Sequence, residues 1–197
     1  MEIHAGIKTF YAKNRKAWRT WLEKNGVKEK SVWLIIYRKD TSKKTVNYVE
    51  AVEDALCYGW IDSKANKRDA KSFDQSFAKR NPKSNWSKIN KERVAMLIEN
   101  GLMTLKGIEA IELAKKNGAW TALDKIENLE IPADLKKALK QNAEAARHFN
   151  AFPRSVKKGI LGWIQDAKRE ETREKRIKET VLLAQKNTRA NQYTHKS

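Results

Sequence analysis

Cysteine is almost missing from this chain. Among 197 residues only Cys57 carries a thiol, so no internal disulfide forms and the fold must rest on packing, which agrees with a reducing compartment. Proline (3) and glycine (8) are scarce as well, which excludes collagen-like and linker-rich compositions. Long apolar runs are absent: the longest, Val32-Trp33-Leu34-Ile35-Ile36-Tyr37, is far short of the roughly 20 residues of a membrane-spanning helix. The N-terminal stretch has an acid at Glu2 and no apolar segment leading to a small-residue cleavage site, so no secretory signal is readable and the expected location is cytoplasmic.

The chemistry of common sites is missing too. His4, His148 and His195 are scattered and no CxxC, HExxH or HxE spacing exists, so no metal is expected. Neither GxGxxG nor GxxxxGK[ST] occurs, which removes the common phosphate-cradling loops, and no cofactor is expected. A catalytic triad would have to use His148, whose plainer reading is a partly exposed helix residue.

What is present is apolar mass and positive charge. The hydrophobic fraction is 40% with seven Trp, and a chain of this length buries roughly 70% of its unfolded surface. Formal charge is +18, and it is unevenly spread. From Lys64 to Arg93 ten bases face three acids, from Leu135 to Ser197 sixteen face six, and the remainder has sixteen against fifteen. Such blocks attract polyanions: an acidic protein, an envelope component or nucleic acid. They also serve as a solvated face that confers solubility.

Periodicity predicts an α+β fold, mainly helical, with N-terminal helices around a small antiparallel sheet of three strands at most. A first helix is expected from Phe10 to Asn25, with Phe10, Ala17, Trp18, Trp21 and Leu22 on one face. A strand follows over 31–39. Asn47 with Glu50 reads as a capping box for a helix carrying Tyr48, Val52, Ala55 and Leu56 and ending near Gly59. Short strands are expected around Trp60–Ala65 and Ser72–Phe77. Helices then follow from Ser87, from a Thr104 cap, and over about 133–141, 142–151, 154–168 and 170–187. Pro132 and the change to basic composition divide the chain into an N-terminal domain (1–130), a helical module (131–190) and a flexible tail (191–197).

Two segments have compositions suited to a site. In Cys57–Asp62, Trp60 stands beside Asp62 where the chain turns at Gly59, so a carboxylate lines an aromatic cleft or merely pairs with a nearby base. In 79–93, Lys79, Arg80, Lys83, Lys88 and Lys91 flank Trp86, a mixture used for single strands and acidic ligands. There Ser84, Asn85, Ser87 and Asn90 offer hydrogen bonds ahead of a helix N-terminus. Trp86 either contacts a ligand or seals the joint between sheet and helices.

The runs Ala55 to Lys64, Arg80 to Val94 and Gly101 to Gly107, with Trp163 to Lys168, Thr172-Arg173 and Arg176-Ile177, resemble the bacterial YdeI/OmpD-associated (OmdA) family, also labelled bacteriocin-protection proteins. The resemblance extends over nearly the whole chain. It implies tolerance of bacteriocins or cationic antimicrobial peptides and association with an outer-membrane porin. It supplies no catalytic set, so Gly59, Trp60, Asp62, Lys64, Arg80, Lys83, Ser84, Asn85, Trp86, Ser87 and Asn90 stand as ligand-binding candidates. The expected function is non-enzymatic binding in envelope or antimicrobial stress. The alternatives are nucleic-acid binding through 79–93 and the C-terminal helices, and a small-molecule enzyme using Asp62. A chain of +18 repels cationic peptides, so an anionic target is the easier partner. In the C-terminal helices, Arg173, Arg176 and Lys178 are expected to form an outward docking surface whose reversal to Glu leaves the fold intact.

Overall fold

The structure is a computed structural model that describes residues 3–4 and 6–191. The chain divides into two compact units, one ending at Ala122 and the next starting at Leu123. The charge-based division at 130/131 falls a few residues later, because Ile126 belongs by packing to the second core. The expected tail lies, from residue 192 on, outside the described residues, as does His195.

The first unit is α+β, but strands rather than helices open it. β1 (Ile3–His4) pairs antiparallel with β2 (Ile7–Tyr11). Then come α1 (Arg15–Asn25), β3 (Ser31–Tyr37), α2 (Tyr48–Cys57), β4 (Trp60–Lys67), β5 (Ser72–Lys79), α3 (Lys88–Glu99) and α4 (Leu105–Lys116). The sheet order is β1-β2-β3-β5-β4. It is mixed, since β2 lies parallel to β3, with Phe10 opposite Leu34. Both the wholly antiparallel sheet and its limit of three strands are therefore corrected. Phe10 leaves the first helix for the sheet because Asn14, in extended conformation, caps α1 through the amide of Ala17 at 2.9 Å. A helix extended back to Phe10 would forfeit that cap.

Local signals otherwise set the elements where the sequence places them. Asn47 and Glu50 form the reciprocal capping box of α2, Ser87 caps α3 and Thr104 caps α4. Val32, Leu34 and Ile36 alternate onto the face covered by helices, with Phe77 opposite Val32. Against them sits an aromatic cluster: Trp18 stacks on Trp21 at 5.3 Å and approaches Phe77 at 5.2 Å, while Trp21 meets Trp60 edge-on at 5.7 Å. The indole nitrogens of Trp18 and Trp60 donate to the carbonyls of Ala51 and Gly26, at 3.0 and 3.2 Å. Large rings are thereby buried without orphaning their polar ends. Tyr48, expected on the apolar face of α2, is instead 39% exposed.

The second unit is helical throughout its described residues. It comprises α5 (Asp124–Glu127), α6 (Ala133–Lys140), α7 (Ala143–Ala151), α8 (Arg154–Gln165) and α9 (Glu170–Gln185). Pro132 and Pro153 stand directly before α6 and α8, where a missing N–H and a fixed φ are harmless. Leu135, Phe149, Ile160, Ile164, Ile177 and Ala184 form its core. Leu182 of α9 is 57% exposed. No helix among the described residues is long and apolar enough to cross a membrane.

Candidate functional site

The first unit carries a groove of about 740 Å³. Its apolar walls come from Leu22 and Val27 at the end of α1, Trp60 at the start of β4, and Leu105 and Ala110 of α4. Charge enters from Lys79 and Arg80 at the end of β5, Lys106 of α4 and Glu23 of α1. Gly59 makes this convergence possible. It holds φ +72° between α2 and β4, and an added Cβ would stand 3.0 Å from the Lys106 carbonyl. Any other residue would be strained and would press on the first turn of α4.

The cations of the groove differ in what holds them. Lys79 Nζ donates to the Val27 carbonyl at 2.6 Å and Lys106 Nζ pairs with Glu109 at 2.9 Å. Arg80 has no carboxylate partner among the described residues. Its guanidinium carbon lies 3.7 Å from the centroid of Trp86, and Nη2 donates to the Asn85 carbonyl at 2.6 Å. Nε and Nη1 are buried with no acceptor, and so is the indole nitrogen of Trp86. Burial draws the Arg80 pKa down to about 10, against the attraction of Asp62, so the side chain is a cation at neutral pH. Each buried donor without an acceptor costs about 1–3 kcal/mol. Three lie on two stacked side chains, where the described residues supply no acceptor for them. Beside them lies a small cavity of about 50 Å³ lined by Arg80, Asn81, Pro82, Trp86, Ala110 and Leu113; it shares Arg80 and Ala110 with the groove.

The sequence candidates sort by what they touch. Gly59, Trp60 and Arg80 line the groove; Trp86 lines only the small cavity and is 2% exposed. Asp62 does not line the groove and accepts from Tyr48 Oη at 2.6 Å. Burial and that bond push the Tyr48 pKa up to about 12. Ser84 Oγ donates to the Asn81 carbonyl and the Lys83 amide to Asn81 Oδ1. Ser87 Oγ accepts from the Asn90 amide, and Asn90 Oδ1 from Arg93. Those side chains shape the turn and cap α3. Lys64 Nζ stands 5.7 Å from the Trp33 centroid. Glu23, Val27, Leu105 and Lys106 were not singled out from the sequence, and Thr104 beside them was read only as a cap.

In the second unit the three basic candidates are unequal. Arg173 binds Asp134 through Nε at 2.6 Å and Nη2 at 3.0 Å and also donates to the Ile164 carbonyl. That arginine holds the Asp134 carboxyl below its usual range. Arg176 donates to the Trp163 carbonyl and lies 5.1 Å from the Trp163 ring. Lys178 has only a loose pair with Glu174 at 3.7 Å. The expectation that all three can be reversed at no expense to the fold is therefore corrected. Arg173 ties α9 to α6 and α8, and a glutamate there would face Asp134.

Fold and site together define a two-unit α+β protein with a ligand-sized groove in its first unit. The chain belongs to the family defined by a domain of unknown function, DUF8412, which matches residues 10–110. Residues 128–187 match the family described as bacteriocin-protection, YdeI or OmpD-associated. That second match is confined to the C-terminal part, narrower than the resemblance read along nearly the whole chain. No curated protein and no solved structure matches.

Proposed function

We propose that the chain is a non-enzymatic binding protein of the YdeI type, acting in the cytoplasm in tolerance of bacteriocins or envelope stress, and that its first unit holds the ligand. The observation that carries the ligand site is the groove of about 740 Å³ with mostly apolar walls and a basic end, a size and lining typical of small-molecule sites. An enzyme built on Asp62 has less support, because that carboxylate is engaged by Tyr48 and stands off the groove. The neutral dye Nile red tests the site: one dye is expected to bind per chain. Val27→Trp, at a position 67% exposed on the groove rim, is expected to weaken it by about tenfold. Unchanged affinity in a folded variant would remove the groove as the ligand site.

Polyanion binding is a second reading, favoured by a cluster of cations outside 79–93 and the C-terminal helices, part of it within the basic block 64–93. The loop after β3 carries Arg38, Lys39, Lys43 and Lys44 against Asp40, and the β4–β5 tip carries Lys67, Arg68 and Lys71 against Asp69. The Arg38 amide bonds the Lys71 carbonyl at 2.8 Å, which brings the two together. Lys39, Lys44, Lys67 and Lys71 make no ion pair with a described residue, whereas Lys88, Lys106 and Lys115 are paired along their helices. Lys43 lies over the rings of Tyr37 and Tyr11. Binding of a fluorescein-labelled oligothymidylate, followed between about 50 and 200 mM salt, tests this. Changing Lys39, Lys44 and Lys71 together to Glu is expected to flatten the log–log salt slope by about 2. An unaltered slope would exclude this surface.

A further inference from the structure

Arg80 and Trp86 contain an unresolved imbalance. Their three acceptor-less donors are buried, yet Trp18 and Trp60 in the same core each find a carbonyl. Three such donors stand together here, on two stacked side chains. The Asn85 carbonyl satisfies Nη2, so the segment after β5 holds the guanidinium flat on Trp86 without consuming its remaining nitrogens. A missing acceptor beside a cation is the complement of an anion.

We infer that the groove takes an amphipathic carboxylate, with its head group on the unmatched donors of Arg80 and Trp86 and its aliphatic chain along Leu22, Val27, Trp60 and Leu105. The inference rests on the groove being the ligand site and adds what the ligand is. Arg80 and Ala110 line both the 50 Å³ cavity and the 740 Å³ groove, so the site has a small end beside the guanidinium and a long apolar one. The small end has room for a head group of a few atoms and none for a ring. A single unpaired cation suits a single negative charge. Lys106, already paired with Glu109, and Lys79, already bonded to Val27, stand by the groove without the buried, unspent donors that Arg80 has. Glu23 on the same rim opposes a second negative charge, which disfavours phosphate monoesters and nucleotides. An aliphatic chain fits walls that offer isobutyl, isopropyl and indole surface and few polar partners.

Displacement of Nile red by dodecanoate, dodecanol and dodecylamine, each below its micelle concentration, reads the head group separately from the chain. At pH 7.5, above the usual carboxylate range of about 4 and below the Arg80 value of about 10, dodecanoate is expected to displace the dye at about tenfold or more lower concentration than dodecanol. Arg80→Leu is expected to erase that preference, and Trp86→Phe, which keeps an aromatic face and removes the indole donor, to reduce it. Should Arg80→Leu fail to fold, Trp86→Phe and Arg80→Lys carry the comparison. Equal displacement by acid and alcohol in the unaltered protein would overturn the carboxylate while leaving the groove reading in place. Preference for dodecylamine would overturn it in favour of Glu23 as the recognising group. Failure of Nile red itself to bind would bring down both.

Discussion

Asp54→Ala is expected to destabilise the first unit by about 3–5 kcal/mol, the range for removing one partner of a buried charge cluster. The Asp54 side chain is fully buried on α2. It accepts from Arg15 through Nε at 3.1 and 3.2 Å and through Nη2 at 3.1 Å, and from Arg19 Nη1 at 3.0 Å. The arginines lie one turn apart on α1, so a single carboxylate fastens two turns of α1 to α2. Burial lowers the Arg15 pKa, but the Asp54 bond and charge more than reverse this and leave it raised. Without the carboxylate, two like charges face each other beside an apolar core, and neither can leave freely. Arg19 is also held by the Leu102 carbonyl, and Arg15 by Glu53 at 3.1 Å. Urea unfolding followed by tryptophan fluorescence measures the loss directly, since Trp18 and Trp21 sit on the same helix. A change below about 1 kcal/mol, the scale of an exposed pair, would show that the cluster does not hold α1 in place.

Gly107→Ala is expected to destabilise by about 1–3 kcal/mol, the range for overpacking a close contact, although alanine is favoured over glycine inside a helix by about 1 kcal/mol. The contacts decide the sign. A Cβ at Gly107 would stand 2.4 Å from the Cys57 carbonyl oxygen, 2.9 Å from its carbon and 2.6 Å from the Met103 methyl. The methionine can swing away. The carbonyl cannot, because it accepts both Thr104 Oγ1 at 2.6 Å and the Thr104 amide at 3.2 Å. The first turn of α4 must therefore lift off α2, and that turn is a wall of the groove. Loss of stability and weaker Nile red binding are expected together. Gly159→Ala supplies the contrast within α8: nothing lies within 4 Å of its added Cβ, so a gain of about 0.4–1 kcal/mol is expected there. Equal stabilisation by both substitutions in thermal melts would refute the close contact at Gly107.

The legible part of the site was its composition. Arg80 and Trp86 stood out as a cation beside an aromatic, Gly59 as an enforced turn, and Trp60 as a ring next to that turn. Their roles were not legible. The indole of Trp60 is spent on the Gly26 carbonyl. Ser84, Ser87 and Asn90 are spent on their own turn and helix cap. Lys106 and Val27 carry no local signal and become groove residues only through the packing of α1, α4 and β5. The same holds in the second unit, where helical spacing offers Glu170 as a partner for Arg173, yet its partner is Asp134, 39 residues away.

By itself the sequence determined what depends on neighbours in the chain. The caps at Asn47, Ser87 and Thr104, the strand at 31–37 and the helical course after Pro132 all follow from bonds and periodicities that close within a few residues. The tertiary structure alone decided what depends on partners far along the chain. It moved Phe10 into a strand parallel to β3, chose Asp134 for Arg173, and brought 22–27, 59–60, 79–80 and 104–110 around one groove. Local order is encoded by side chains that satisfy their own backbone. A groove arises only where elements distant in sequence pack, and whether a donor such as Arg80 Nε is matched is settled there.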